Sequence, residues 1–543
     1  MALLTGLAVA AAGCSGPGTS GPGPSPDQGS SAGVPAADNA ANGTPRPLGW
    51  GPDQRDADAA ATAVAAMSLE QKAGQVLLPF FPGLDAEAHA RTIERLHLAG
   101  SIVMGDNVPT APDGQVDTAA MHAATGRLQR AARADGRGWP GLIGVDQEGG
   151  AVARLRAPLT EWPAPMSYGA ADSEPLASDA GRAISAELAG LGFNVDFAPT
   201  ADVTVGPADP TIGARSISGS PDIAAEVGTA FSKGMLDAGM LPAAKHFPGH
   251  GSVTVNSHEG MPVQGASLDQ LRAKDLKPFQ AAIDAGLPMV MTGHIAVPAL
   301  QPGVPASVSP ASYAELRRMG FKGVAVTDAM NMGAITQQFP NDSAAPLALA
   351  AGADLVLMPA SVETAHAAIV AAVRNGSLPA ARLDEAARRV ATMQLWRGRS
   401  HPPQGTPPGS GSALSEKVSQ EAITVLAGPC HGPMVPASVR VSGGSEQDRA
   451  RFAAAARQAG IGIGDGPLVT LIGYGGAPAT ADVAVSLDAP WPLEKSAAPA
   501  KIALFGRSQE AFDALLEVLA GKATAPGKLP VAVGPHGPGS GCR

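Results

Sequence analysis

Eight short apolar runs recur along the chain, each followed by a stretch compatible with a helix. They are Val76–Pro79, Ser101–Met104, Leu142–Val145, Asn194–Pro199, Leu241–Phe247, Met289–His294, Val324–Asp328 and Leu355–Met358. Short strands spaced by helices are the pattern of βα units around a parallel sheet, and eight of them predict an α/β fold built on a (β/α)8 TIM-like barrel. A doubly wound open sheet is the alternative. Catalytic groups of a barrel sit where strands end and βα loops begin. The polar residues obey that rule: Asp146 and Glu148 follow the third run, Asp202 the fourth, Lys245 and His246 the fifth, His294 the sixth and Asp328 the seventh.

The fifth run ends in Lys245-His-Phe-Pro-Gly-His-Gly251, continued by Ser252-Val-Thr-Val-Asn-Ser-His258. Its Pro and two glycines forbid a helix, so a strand ends there in a rigid loop. Three imidazoles and one ammonium lie within these fourteen residues, more than packing needs. His246 and His250 have the i, i+4 spacing of helical metal ligands, but the helix is denied and no HExxH or cysteine pair accompanies them. For His250 a turn-stabilising role competes with a chemical one, because glycine on both sides marks a backbone-limited corner.

With 543 residues the chain exceeds one ordinary domain. A net charge of −10 argues against nucleic acid or an anionic membrane face as partner, since both call for clustered Lys and Arg. Residues 1–14 end a short apolar segment at Gly13-Cys14 and resemble a lipoprotein signal, although no Lys or Arg precedes the apolar run. Cys14 is then the lipidation site, and the protein is exported, held at the outer face of the cell membrane by that lipid or secreted. Residues 15–57 read as a Gly/Pro/Ser tether, 58–396 as the barrel, and 397–413 as a linker rich in Pro and Gly. Beyond it, strand-like Ile423–Leu426, Leu468–Ile472, Val483–Leu487 and Ile502–Phe505, with helical stretches at 446–459 and 509–520, predict a smaller α/β sandwich domain over 414–543. The run Gly460-Ile-Gly-Ile-Gly-Asp-Gly466 lacks the order and context of a dinucleotide loop. Cys430 and Cys542 either pair, as exported cysteines do, or remain two buried thiols.

Asp146-Gln-Glu-Gly-Gly150, Asn194-Val-Asp-Phe-Ala-Pro199, Ala214-Arg215-Ser216, Lys245–Gly251, Ser257-His258 and Thr327-Asp-Ala-Met-Asn331 together resemble family 3 glycoside hydrolases, in their β-N-acetylglucosaminidase branch. The resemblance extends from about residue 67 to 396, and the second domain, with Pro526-Gly-Lys-Leu-Pro530, looks like the family's C-terminal sandwich. It implies Asp328 as nucleophile and His258, on a loop, as proton donor and acceptor. A carboxyl with an ordinary pKa of about 3.9 needs no base to ionise it, and an imidazole near about 6.5 can serve both half-reactions. Taken alone, Asp328 also fits a helix N-cap. The branch usually has Asp two residues before its His, and here Asn256 stands there. An amide oxygen can accept the Nδ1–H bond but supplies no charge to an imidazolium. Glu259, adjacent in an extended segment, would point to the opposite face.

Asp146, Arg154, Arg215, Lys245 and His246 look like ligands of sugar hydroxyls, with a structural salt bridge competing at Arg154; Met330 and Met332 read as packing. The implied protein is a retaining exo-β-N-acetylglucosaminidase, a β-N-acetylhexosaminidase without metal or organic cofactor. Its substrate would be a non-reducing terminal GlcNAc on peptidoglycan-derived cell-wall fragments or an aminosugar oligosaccharide, with no nucleic-acid partner. The alternatives are a phosphorylase that uses phosphate in place of water, and a sugar-binding lipoprotein weakened in catalysis at Asn256. A broad β-glucosidase of the family lacks the Ser257-His258 loop.

Overall fold

Each apolar run carries a parallel strand in the computed structural model, which describes residues 45–399, 405–476 and 480–542. The strands are β1 (Leu77–Leu78), β2 (Gly100–Val103), β3 (Leu142–Val145), β4 (Val195–Asp196), β5 (Leu241–Phe247), β6 (Met289–Thr292), β7 (Val324–Thr327) and β8 (Val356–Leu357). Strands β2 to β7 pair in chain order, with Ser101 opposite Ile143, Val145 opposite Asp196, Asp196 opposite Pro242, Ala243 opposite Met289 and Thr327 opposite Thr292. Strand β8 pairs with β1 through Val356 and Leu77, and a bridge from Val326 to Leu355 joins it to β7. The Ile102 amide donates to the Pro79 carbonyl at 3.0 Å, so the ring of strands runs through all eight. This is a TIM-like α/β domain.

Successive side chains of a strand alternate between faces. Leu142, Leu241, Met289, Val324 and Leu357 accordingly fill the barrel interior. Their neighbours Ile143, Val290, Ala325 and Val356 face outward, against helix residues such as Ile184, Phe231, Leu316 and Leu383. In β5, Lys245 follows Leu241 and Ala243 on the inward face, which carries its ammonium into the top of the barrel.

The ordered chain departs from the tether reading over 45–57. Trp50 is buried in the barrel cluster, and helix Gln54–Ala65 starts four residues before the expected boundary at 58. Asp53 caps that helix through the Arg55 amide, and Arg399 holds Asp53 and Asp56 at 3.0 and 2.6 Å. Of the linker, 397–399 still belong to helix Ala380–Arg399 and 412–413 open helix Ser412–Ala422. Thr406 donates to the Ala186 carbonyl and Gly411 to Glu187, so residues 406–411 are tied to the barrel. Cys14 lies outside the described residues.

Residues 424–503 form a five-stranded sheet of β9 (Thr424–Ala427), β10 (Ser438–Gly443), β11 (Gly462–Ile472), β12 (Val483–Ser486) and β13 (Ala500–Ala503), in the order β9-β13-β12-β11-β10. Strand β9 is antiparallel to β13 and the other pairs are parallel. Two features escape the sequence pattern: β10, and the glycine-rich first half of β11, whose Gly462 and Ile463 pair with Ser438 and Val439. Helices Glu446–Ala459 and Gln509–Leu519 pack on this sheet. Cys430 and Cys542 form a disulfide. Met166 and Ala170 of the barrel share a buried cluster with Ile472, Phe505, Leu529 and Val531, so one apolar layer continues between the two regions.

Candidate active site

After β3 the chain turns through a short antiparallel ladder, Gln147–Gly149 with Val152–Ala153. That turn presents Asp146, Glu148 and Arg154 to the barrel mouth. The Lys245 ammonium bridges Asp146 at 2.9 Å and Glu148 at 2.7 Å. Glu148 accepts two further bonds from Arg215, at 2.8 and 2.7 Å, while Arg154 lies 3.4 Å from Asp146. Burial alone would push the Glu148 carboxyl up; Arg215 and Lys245 outweigh it and hold the group well below the usual carboxylate range. Burial would lower the Lys245 ammonium, but Asp146 and Glu148 reverse the sign and raise it. All three cations of this cluster are therefore paired with carboxylates, and they meet a ligand as a rigid, pre-oriented frame.

Asp202, beyond β4, is fully buried and accepts the His246 Nδ1–H at 2.7 Å and the His250 backbone N–H at 2.6 Å. Gly249 between those histidines has φ +120°, and a Cβ there would stand 2.6 Å from the Asp275 Cβ, so the corner admits only glycine. From it the chain reaches His258, whose Nδ1 lies 2.9 Å from the Asn256 Oδ1; the same oxygen accepts the His258 N–H at 3.0 Å. The segment is a turn, not the extended chain expected around Glu259: the amides of Glu259 and Gly260 both bond the Asn256 carbonyl.

Asp328 follows β7. It caps no helix, since the next one, Gly333–Thr336, begins after Met332; its Oδ1 accepts the Ala329 N–H at 2.8 Å. Burial raises this carboxyl, yet His246, His294, the Ala329 amide and Lys245 together bring it to about 2. His294 is itself lowered by burial; its Nε2 donates to the Ala329 carbonyl and its Nδ1 lies 2.7 Å from the Ser307 hydroxyl. The carboxylate is ionised throughout the physiological range.

Asp146, Arg154, Arg215, Lys245, His246, His258 and Asp328 all line one cavity of about 330 Å³. Asn256 stands behind His258 and does not line it. Met332 closes one side, whereas Met330 faces a separate cavity behind the Asp328 loop. Arg154 Nε, Thr211 Oγ1 and His250 Nδ1, on lining residues, are buried without a partner among the described residues. Unmet donors and acceptors around a hollow suit a polyhydroxylated ligand. Among the described residues no group of three or more His, Cys, Asp or Glu is arranged to hold a metal ion. A second cavity of about 520 Å³, between the barrel and the five-stranded sheet, shares Thr211, Ile212 and Arg215 with the first and contains neither Asp328 nor His258.

The sequence assigns no role to Glu148 or Asp202 and leaves His250 between a turn-stabilising and a chemical one. Glu148 and Asp202 were visible as polar strand ends, but their partners Arg215 and His246 lie 67 and 44 positions away, and only the closed barrel brings them together.

Residues 68–393 match the family described as Glycosyl hydrolase family 3 N terminal domain. The chain is 38% identical to Beta-hexosaminidase A of Pseudoalteromonas piscicida over 288 residues, 50% of this chain and 47% of that protein, so it spans about half the length of that relative. It is 34% identical over 326 residues to Beta-hexosaminidase LpqI of Mycobacterium tuberculosis, covering 57% of this chain and 79% of LpqI. Among solved structures, a glycoside hydrolase family 3 beta-N-acetylglucosaminidase from Paenibacillus superposes with a TM-score of 0.77 at 27% identity, over 86% of this chain and 99% of that one.

Proposed function

Because the chain belongs to glycosyl hydrolase family 3, we propose that it is a retaining exo-β-N-acetylglucosaminidase with Asp328 as nucleophile and His258 as acid and base. The observation that carries this reading is the shared cavity: an ionised, buried carboxylate and a solvent-facing imidazole line the same sugar-sized space. In the first half-reaction the Asp328 carboxylate bonds to the anomeric carbon while the glycosidic bond breaks, and His258 gives its proton to the leaving oxygen. In the second, His258 takes a proton from water, the water oxygen bonds to the anomeric carbon, and Asp328 leaves. Asp146, Arg154, Arg215, Lys245 and His246 bind and orient the sugar hydroxyls, which places the reacting atoms within reach of one another.

The substrate class we assign is peptidoglycan-derived fragments ending in non-reducing GlcNAc, with the larger neighbouring cavity giving room for the aglycone. Export with a lipid at Cys14 belongs to the same reading, supported by the Cys430–Cys542 disulfide, a bond typical of oxidising compartments. We read residues 424–542 as a small α/β domain that braces the barrel. The test is turnover of chromogenic GlcNAc and glucose β-glycosides, with Asp328→Ala and His258→Ala as controls. Cleavage of the glucose glycoside in preference, or full activity in either variant, refutes the assignment.

One observation favours phosphate as an alternative acceptor: the residue behind His258 is the neutral Asn256, which does not repel an anion. Release of GlcNAc-1-phosphate in phosphate buffer would identify a phosphorylase. A fluoro-glycosyl trap that leaves Asp328 unlabelled would identify a binder instead.

A further inference from the structure

The loop that carries His258 is poorly held by its own packing. Thr254, Val255, His258 and Glu259 are exposed, and of residues 254–260 only Ser257 is buried. Ser257 is also where the loop is fastened. Its hydroxyl lies 2.9 Å from His250 Nε2, and its carbonyl accepts the Ala334 N–H at 3.3 Å. The second bond ties the loop to the turn after Asp328, where Gly333 is required by close approach: a Cβ there would lie 2.6 Å from the His258 carbonyl oxygen. On the far side, Gln337 Nε2 donates to the Glu259 carbonyl at 3.2 Å.

His250 is suited to be a fixed post. It is buried, its other ring nitrogen has no partner among the described residues, and its backbone N–H is gripped by Asp202 at 2.6 Å. The same Asp202 carboxylate holds His246, which lines the sugar cavity. One buried carboxylate thus sets the positions of an imidazole at the sugar and of the imidazole that fastens the His258 loop.

We propose that the chain Asp202–His250–Ser257 is a latch that places the His258 loop for proton transfer, with His250 and Ser257 as positioning residues for that step. The inference rests on the assignment of His258 as the acid and base. A latch of this kind stabilises the one loop arrangement in which the imidazole reaches the leaving oxygen. Its loss should therefore weaken cleavage in proportion to how much a leaving group needs protonation. A packing role for His250 would instead depress all substrates alike.

The experiment measures kcat/KM, which reports the steps through formation of the glycosyl-enzyme, for β-GlcNAc glycosides from dinitrophenyl to alkyl leaving groups. The variants are Ser257→Ala, His250→Gln, their combination, and His258→Ala. We expect Ser257→Ala and His250→Gln each to lose about tenfold more on the alkyl than on the dinitrophenyl glycoside, the worth of one positioning hydrogen bond in general acid catalysis. The double variant should be no worse than the weaker single one. A uniform loss across the series, no loss, or additive losses in the double variant overturns the latch. If His258→Ala shows no leaving-group dependence, the acid and base assignment fails and the latch with it; if His258→Ala shows it and the latch variants do not, only the latch fails.

Discussion

Two of the barrel's buried ionic clusters, one at each end, are built differently. At the bottom, before β8, Asp354 accepts from Arg317, Arg382 and Arg389 at 2.5, 2.6 and 3.0 Å and from the Ala325 N–H at 3.0 Å. Its carboxylate is fully buried and surrounded by donors. At the mouth, Asp146, Glu148, Lys245, Arg154 and Arg215 pair with one another but border a hollow, and Arg154 Nε beside it has no partner among the described residues. Beneath them Asp196 has an Oδ2 without a partner among the described residues; burial first, and then Asp146 and Glu148, push its carboxyl well up. A satisfied cluster can only hold the fold, whereas an unsatisfied one beside a cavity has bonding capacity left for a ligand.

That contrast can be broken or sharpened by measurement. Asp328→Asn at the mouth should reduce kcat/KM by at least about 10³-fold, as expected for loss of a nucleophile, with the thermal midpoint little changed. Asp354→Asn at the bottom should do the reverse: about 3–5 kcal/mol of stability lost in denaturant titrations, because three guanidinium groups lose their counter-charge, with kcat/KM of the folded enzyme within about twofold. If the two variants exchange phenotypes, the distinction between the ends is wrong.

A smaller effect tests the latch histidine through pH. Burial first, and then the neighbouring His246, lower His250 from 6.5 to about 4. Between those values the unfolded chain binds a proton that the folded one refuses, so stability is present above about 6.5 and is lost as pH falls toward about 4. For this residue the loss is about 3 kcal/mol. His89, lowered to about 4 by burial away from the site, adds a similar slope. His250→Gln should therefore remove about 3 kcal/mol of the acid-induced loss seen by chemical denaturation, and an unchanged pH slope would show that the ring is not buried as a neutral group. The smallest expected change is a gain: Asn256→Asp should raise turnover by up to about tenfold, since a carboxylate 2.9 Å from His258 Nδ1 would stabilise the imidazolium. A decrease would contradict the orienting role of that side chain.

The fold was legible because the βα pattern is local: each apolar run is short, and each polar end directly follows its strand. The position of Lys245 could be read from its parity with Leu241 and Ala243. What the chain order concealed was pairing. Arg215 reads as a free sugar ligand until Glu148 is found against it, and Asp202 reads as one more strand-end carboxylate until the His246 imidazole and the His250 backbone amide close on it. Strand β10 escaped because only one of its six residues is buried, and because its first two residues pair with Gly462 and Ile463, in a glycine-rich stretch with too little side chain to announce a strand. Residues 45–57 looked like tether because glycine and proline dominate up to the single Trp50, whose burial organises the segment.

The segment near residue 530 has a consequence for biosynthesis. The Pro530 carbonyl accepts from the Ser218 hydroxyl, 312 positions earlier, and from the Gly219 amide, just after the loop that bears Arg215. Synthesis proceeds from the N-terminus, and domains fold as they emerge. The Arg215 loop must therefore wait, its backstop missing, until residue 530 has left the ribosome. Support for Arg215 at the barrel mouth is completed only after the five-stranded sheet has been synthesised, and a chain released before that point would carry every residue of the mouth cluster without the support that sets one of them.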